Sequence, residues 1–116
     1  MKKIILLTLL TASFFVAKSQ TMILAKDIAQ NVGKNVIICD SVYSVKSFEK
    51  MSLLNIGNAY PKEYFTIVVN KIDEGKFPSP PSAMFIGNKI CVTGIVSEYK
   101  GKMQIVVTEP KQIIVK

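Results

Sequence analysis

The 116-residue chain contains no arginine, no histidine and no tryptophan, so all fifteen of its basic residues are lysines. Each absence removes a class of chemistry. Arginine's planar fork is the usual reader of guanine edges and the usual bidentate grip on phosphate, so its absence argues against base-specific readout of a duplex, and any nucleic-acid contact is expected to be largely independent of sequence. Histidine is the commonest general base and transition-metal ligand; without it, serines such as Ser44 and Ser82 have no activating partner. Cysteine occurs only at Cys39 and Cys91, too few for a four-ligand zinc site and without the Cys-x-x-Cys spacing of a redox pair. The eight acids, Asp27, Asp40, Glu49, Glu63, Asp73, Glu74, Glu98 and Glu109, are scattered along the chain. Only Asp73 and Glu74 adjoin, and sequence neighbours rarely converge on one substrate atom. The chain is therefore expected to be no enzyme and to carry no metal and no cofactor.

What is present begins with an export signal. Lys2 and Lys3 form a positive start, and residues 4–16 make a thirteen-residue run without charge. That length suits the apolar core of a secretory signal and falls short of the ~20 residues of a membrane-spanning helix. Ala17 and Ser19 place small side chains where a signal peptidase reads, which predicts cleavage before Gln20 and a division into a signal peptide, residues 1–19, and one domain, residues 20–116. The first cysteine lies at position 39, far from the signal, so no lipid anchor is expected and the product is periplasmic or secreted with no stable membrane anchor. The remaining 97 residues suffice for one core. They carry twelve lysines against eight acids, a net charge of +4 that fits weak attraction to polyanions or serves solubility alone.

Apolar residues at Ala25, Ile28, Ala29 and Val32, followed by Gly33, predict a short helix over residues 24–32. Residues 35–48 are rich in β-branched and aromatic side chains, with Val36, Ile38 and Val42 in one alternation phase, and predict a long strand bent near Asp40 and Ser41. Further strands are expected over residues 51–56 (MSLLNI), 64–70 (YFTIVVN), 89–99 (KICVTGIVSEY) and 102–108 (KMQIVVT). The third is apolar almost throughout, as a strand covered on both faces over part of its length would be. Pro78, Pro80 and Pro81 break residues 71–87 into a connector with one helical turn packed over an end of the sheet. Gly94 sits inside the fourth strand, where sharp coiling tolerates only a small residue, and Lys100-Gly101 is a hairpin signal. The inward phase is assigned to Val36, Ile38, Val42, Leu54, Ile56, Ile67, Val69, Ile90, Val92, Val96, Ile105 and Val107.

This order predicts an all-β fold, a five-stranded Greek-key OB-fold barrel with a short N-terminal helix and a helical or irregular connector between strands three and four. The stretch GNKICVTGIVSEYKGKMQIVVTEPKQI, residues 87–113, resembles the fourth and fifth strands of OB-fold domains of the nucleic-acid-binding type. The pieces AKDIAQNVGKNVIICDSVYSVK and LLNIGNAYPKEYFTIVV are similar to the matching parts of small exported bacterial OB-fold proteins. Cys39 and Cys91 then fall on the first and fourth strands, neighbours in a closed barrel, out of phase with the core. An exported protein would bridge them, and two free thiols remain the alternative.

The resemblance implies a single-strand-binding surface of aromatic rings beside lysines. By matching elements its residues would be Tyr43, Lys46 and Phe48 on the first strand, Tyr60, Lys62 and Tyr64 around the third, and Tyr99, Lys100 and Lys102 at the last hairpin. The implied function is weak, non-sequence-specific binding of single-stranded nucleic acid or another polyanion. The alternative is an envelope module that binds a protein, a glycan or a small ligand, since OB barrels host all of these.

Overall fold

The structure, a computed structural model, describes residues 20–116; the signal-like segment and most of its cleavage motif lie outside the described residues. Two long strands organise the domain. β2 (Asn35–Ser47) and β5 (Lys89–Tyr99) pair antiparallel over Asn35–Ser41 and Lys89–Ile95, and each then turns to a second neighbour. β2 goes on to pair with β3 (Met51–Ile56), β3 with β4 (Phe65–Asn70), β4 in parallel with β6 (Lys102–Val106), and β6 with β5. The result is a closed ring of five strands in a mostly β, barrel-like domain.

The change of partner along β2 requires a kink. The β2–β3 register shifts between Val42 and Ser44, so Tyr43 is an extra residue and the side-chain phase flips. Val42 therefore points inward, while Ser44 and Lys46, paired with Asn55 and Leu53, point outward. In β5 the equivalent requirement falls on Gly94, where a Cβ would stand 2.5 Å from Ile105 Cγ2.

Seven strands are present where five were expected. β1 (Thr21–Met22) runs parallel to the start of β2, and β7 (Ile113–Val115) antiparallel to the start of β5, which extends the sheet beyond the ring on both sides. The expected N-terminal helix is a 3₁₀ helix, Ala25–Asn31. Its buried residues Ala25 and Ile28 stand three apart, the period of that helix, and Leu24 provides no side-chain cap. The connector holds two short helices, α1 (Lys71–Glu74) and α2 (Pro81–Phe85). Phe77 and Phe85 from this region enter the core edge to face, with ring centroids 6.2 Å apart.

All twelve positions assigned inward are buried, joined by Phe65, the two connector phenylalanines and Ile113. Cys39 and Cys91 occupy the opposite phase, are directly paired across β2 and β5, and form a disulfide on the outer face of the barrel. A disulfide accords with an oxidising compartment, and no described helix is long and apolar enough to cross a membrane.

Candidate functional site

The outward faces of β2, β3, β4 and β6 form the floor of a groove with a cavity volume of about 900 Å³. Strand register arranges this floor in rows. Ser44, Asn55, Thr66 and Gln104 are successive partners across the four strands and make a polar row. Within it Asn55 Nδ2 donates to Ser44 Oγ at 3.0 Å, and Thr66 Oγ1 donates to Asn55 Oδ1 at 3.0 Å. These bonds fix the Asn55 amide, which is nearly buried. One register step away, Leu53, Val68 and Val106 pair in turn as an apolar row, with Lys46 at its β2 end. A floor with one wettable and one apolar stripe suits a flat ligand with a polar edge.

Three lysines, each beside an aromatic ring, stand around this floor. Lys46 Nζ lies 5.7 Å from the Phe48 ring centroid at the short β2–β3 turn. Across the groove the β5–β6 hairpin holds Lys100 Nζ 5.4 Å from the Tyr99 centroid. Lys102 Nζ lies 5.2 Å from the ring of Tyr60, which comes from the β3–β4 loop. Each pair is an attraction of about 0.5–1 kcal/mol at an exposed site, enough to bias a flexible lysine toward its ring. The hairpin is tight because Lys100 and Gly101 both adopt positive φ.

Of the nine residues expected at a binding surface, Lys46, Phe48, Tyr60, Tyr99, Lys100 and Lys102 line this groove. Tyr43, Lys62 and Tyr64 do not. Tyr43 projects at the β2 bulge, Lys62 is exposed in the β3–β4 loop, and the Tyr64 ring covers Gly57, whose positive φ and lack of Cβ leave that ring room. The floor residues were not foreseen. Their signal lay in the outward phase of MSLLNI and YFTIVVN, which carries Leu53 and Val68 on the face away from the core.

Glu63 is the other unforeseen member. It lines the groove, only 3% of its side chain is exposed, and its Oε2 accepts from Lys102 Nζ at 3.4 Å. Its Oε1 is buried with no hydrogen-bond partner among the described residues. Elsewhere, Lys76 ties the connector to the C-terminal segment. Its ammonium reaches Glu109 and Asp73, each at 3.1 Å, and the hydrogen bonds to Glu109 and then Asp73 raise its pKa above 10.5. Among the described residues no group of three Cys, Asp or Glu side chains converges as metal ligands would.

No protein family matches the sequence, and no curated protein matches it. Among solved structures, the chain is similar to one assigned as an aspartyl-tRNA synthetase from Leishmania major Friedlin, with a TM-score of 0.54 and 14% identity. The match covers 92% of this chain and 23% of that one. At that identity the likeness concerns fold alone: nearly the whole of this small barrel-like domain has a counterpart within a much longer synthetase.

Proposed function

We propose that the protein is an exported OB-fold binding module, without catalytic activity, that holds single-stranded nucleic acid weakly and largely without regard to sequence. The ring order β2–β3–β4–β6–β5, closed by the β2–β5 pairing with β4 and β6 parallel, supports the five-stranded Greek-key part of this reading. The observation that carries the function is the set of three lysine–ring pairs around one groove. Single strands present flat bases and a negative backbone, and a platform of exposed rings each beside an ammonium answers both. That one structural neighbour is a synthetase named for tRNA supports the same reading.

Lysine as the only cation favours weak, salt-sensitive attachment, because an ammonium meets phosphate as a point charge without arginine's two-point grip. A second reading, an envelope module for a glycan or a protein, draws on the disulfide and on the apolar row of Leu53, Val68 and Val106. Titrating the purified protein by fluorescence anisotropy with labelled oligonucleotides, and in parallel with acidic and neutral glycans, separates the two. Saturable oligonucleotide binding that weakens in the double variant Lys100→Ala, Lys102→Ala supports the first. Glycan binding with no oligonucleotide response replaces it with the second.

A further inference from the structure

Glu63 is hard to explain as a structural residue. A carboxylate withdrawn from water normally has both oxygens satisfied, because a buried charged oxygen without a donor forfeits solvation it does not recover. Here Oε2 has Lys102, at the long distance of 3.4 Å, and Oε1 has nothing. The residue nonetheless forms part of the groove wall, beneath a lysine that is itself drawn to the 68%-exposed ring of Tyr60. Ring, ammonium and carboxylate thus meet at one corner of the groove. The ring supplies a stacking face, the ammonium a donor, and the carboxylate an acceptor without a partner.

We propose that Glu63 gives this corner a preference for guanine among the bases of a bound single strand, an inference that rests on the single-strand reading above. The reasoning is one of edge chemistry. Guanine is the one common base whose Watson–Crick edge carries two adjacent N–H donors, at N1 and N2, matched to the two oxygens of a carboxylate. Its O6, next in line, is an acceptor for an ammonium such as that of Lys102. Cytosine and adenine offer one amino group flanked by a ring nitrogen whose lone pair faces the carboxylate. Thymine and uracil offer one N–H between two carbonyls. Glu63 lies under Lys102 with only 3% of its side chain exposed, so a base on Tyr60 reaches it only by drawing the Lys102 ammonium onto its own acceptor. Guanine alone offers O6 for that ammonium beside the two N–H donors that the uncovered carboxylate then meets. The chain has no arginine, so the usual reader of guanine's other edge is lacking and the carboxylate is the base-reading group on this wall.

The test compares three labelled strands of roughly twelve nucleotides, within the length an OB groove accommodates: oligothymidylate, alternating thymidine and guanosine, and alternating thymidine and inosine. Inosine lacks only the N2 amino group of guanosine. The guanosine strand should bind about tenfold more tightly than oligothymidylate, the effect of one well-made hydrogen bond to a charged group, and the inosine strand should lose most of that gain. In Glu63→Gln the guanosine-to-thymidine ratio should collapse toward one. Equal affinity for all three strands in the unaltered protein, or an undiminished ratio in Glu63→Gln, overturns the proposal while leaving the groove as a single-strand site. Absence of binding to every strand overturns both. The guanosine–inosine comparison on the unaltered protein requires no variant to fold.

Discussion

Cys39 and Cys91 are directly paired residues of β2 and β5, with Cα atoms 3.9 Å apart and their sulfurs joined on the outer face of the barrel. The bond fastens together the two strands on which the rest of the ring depends. It closes a loop across a sequence separation of 52 residues, which in the chain-entropy account contributes about 4 kcal/mol. Peptide mapping without reductant should therefore recover one linked pair. The double variant Cys39→Ala, Cys91→Ala should unfold at markedly lower urea concentration, and a midpoint equal to that of the oxidised protein would show that the bond adds nothing.

Ile105 is fully buried and lies over Gly94 at the coil of β5. Truncation to Ala should cost about 2–5 kcal/mol by cavity formation. Gly94→Ala should also destabilise, by steric overlap with the same side chain. Combining the two should cost less than the sum, because the shortened residue 105 makes room for the added methyl. Urea denaturation of the four proteins checks this coupling, and strict additivity would contradict the contact.

The ion pairs of Lys76 predict a particular pH dependence. Its folded-state pKa is raised, so its contribution is complete below the unfolded value of 10.5 and disappears as pH climbs through the folded value. The stability difference between the unaltered protein and Lys76→Met should thus be constant through the neutral range and shrink in strong alkali. The site is solvent-exposed, so added salt should diminish the difference at every pH. Denaturation series across pH and salt provide the measurement.

Charge and stacking at the groove separate by their response to salt. If Lys46 and Lys100 each neutralise one phosphate, the salt slope is roughly −0.7 per contact and about −1.4 in all, so affinity falls about 7-fold between about 50 and 200 mM salt. Lys100→Ala should reduce the slope by roughly 0.7 and weaken all sequences alike. Phe48→Ala or Tyr99→Ala should cost about 1–3 kcal/mol with the slope unchanged. Isothermal or anisotropy titrations over a salt series distinguish these patterns.

The core was legible because inward and outward residues alternate along β5 and along β2 as far as Val42, as in Val36, Ile38 and Val92, so much of the barrel's interior follows from the period-two pattern. β1 and β7 escaped because two and three residues are too few to show a period. The groove floor was obscured in a different way. Leu53 and Val68 sit in runs apolar on both faces, and only the register separates a core face from a ligand-facing one. The rim was readable as paired aromatic and lysine positions, but which of them share a wall depends on the β2 bulge and on the β3–β4 loop. Glu63 had no signature at all, being one of eight scattered acids until the fold buried it.

The central claim is that this groove holds single strands, and amide shift mapping of the isotopically labelled protein tests it most directly. On titration with an oligothymidylate of roughly twelve nucleotides at about 50 mM salt, the shifted amides should cluster in the β2–β3 turn, the β3–β4 loop, β4 and the β5–β6 hairpin. Residues around the Cys39–Cys91 bridge, which does not line the groove, should stay still. Shifts centred on β1, β7 and the disulfide, or none at saturating oligonucleotide, would contradict it.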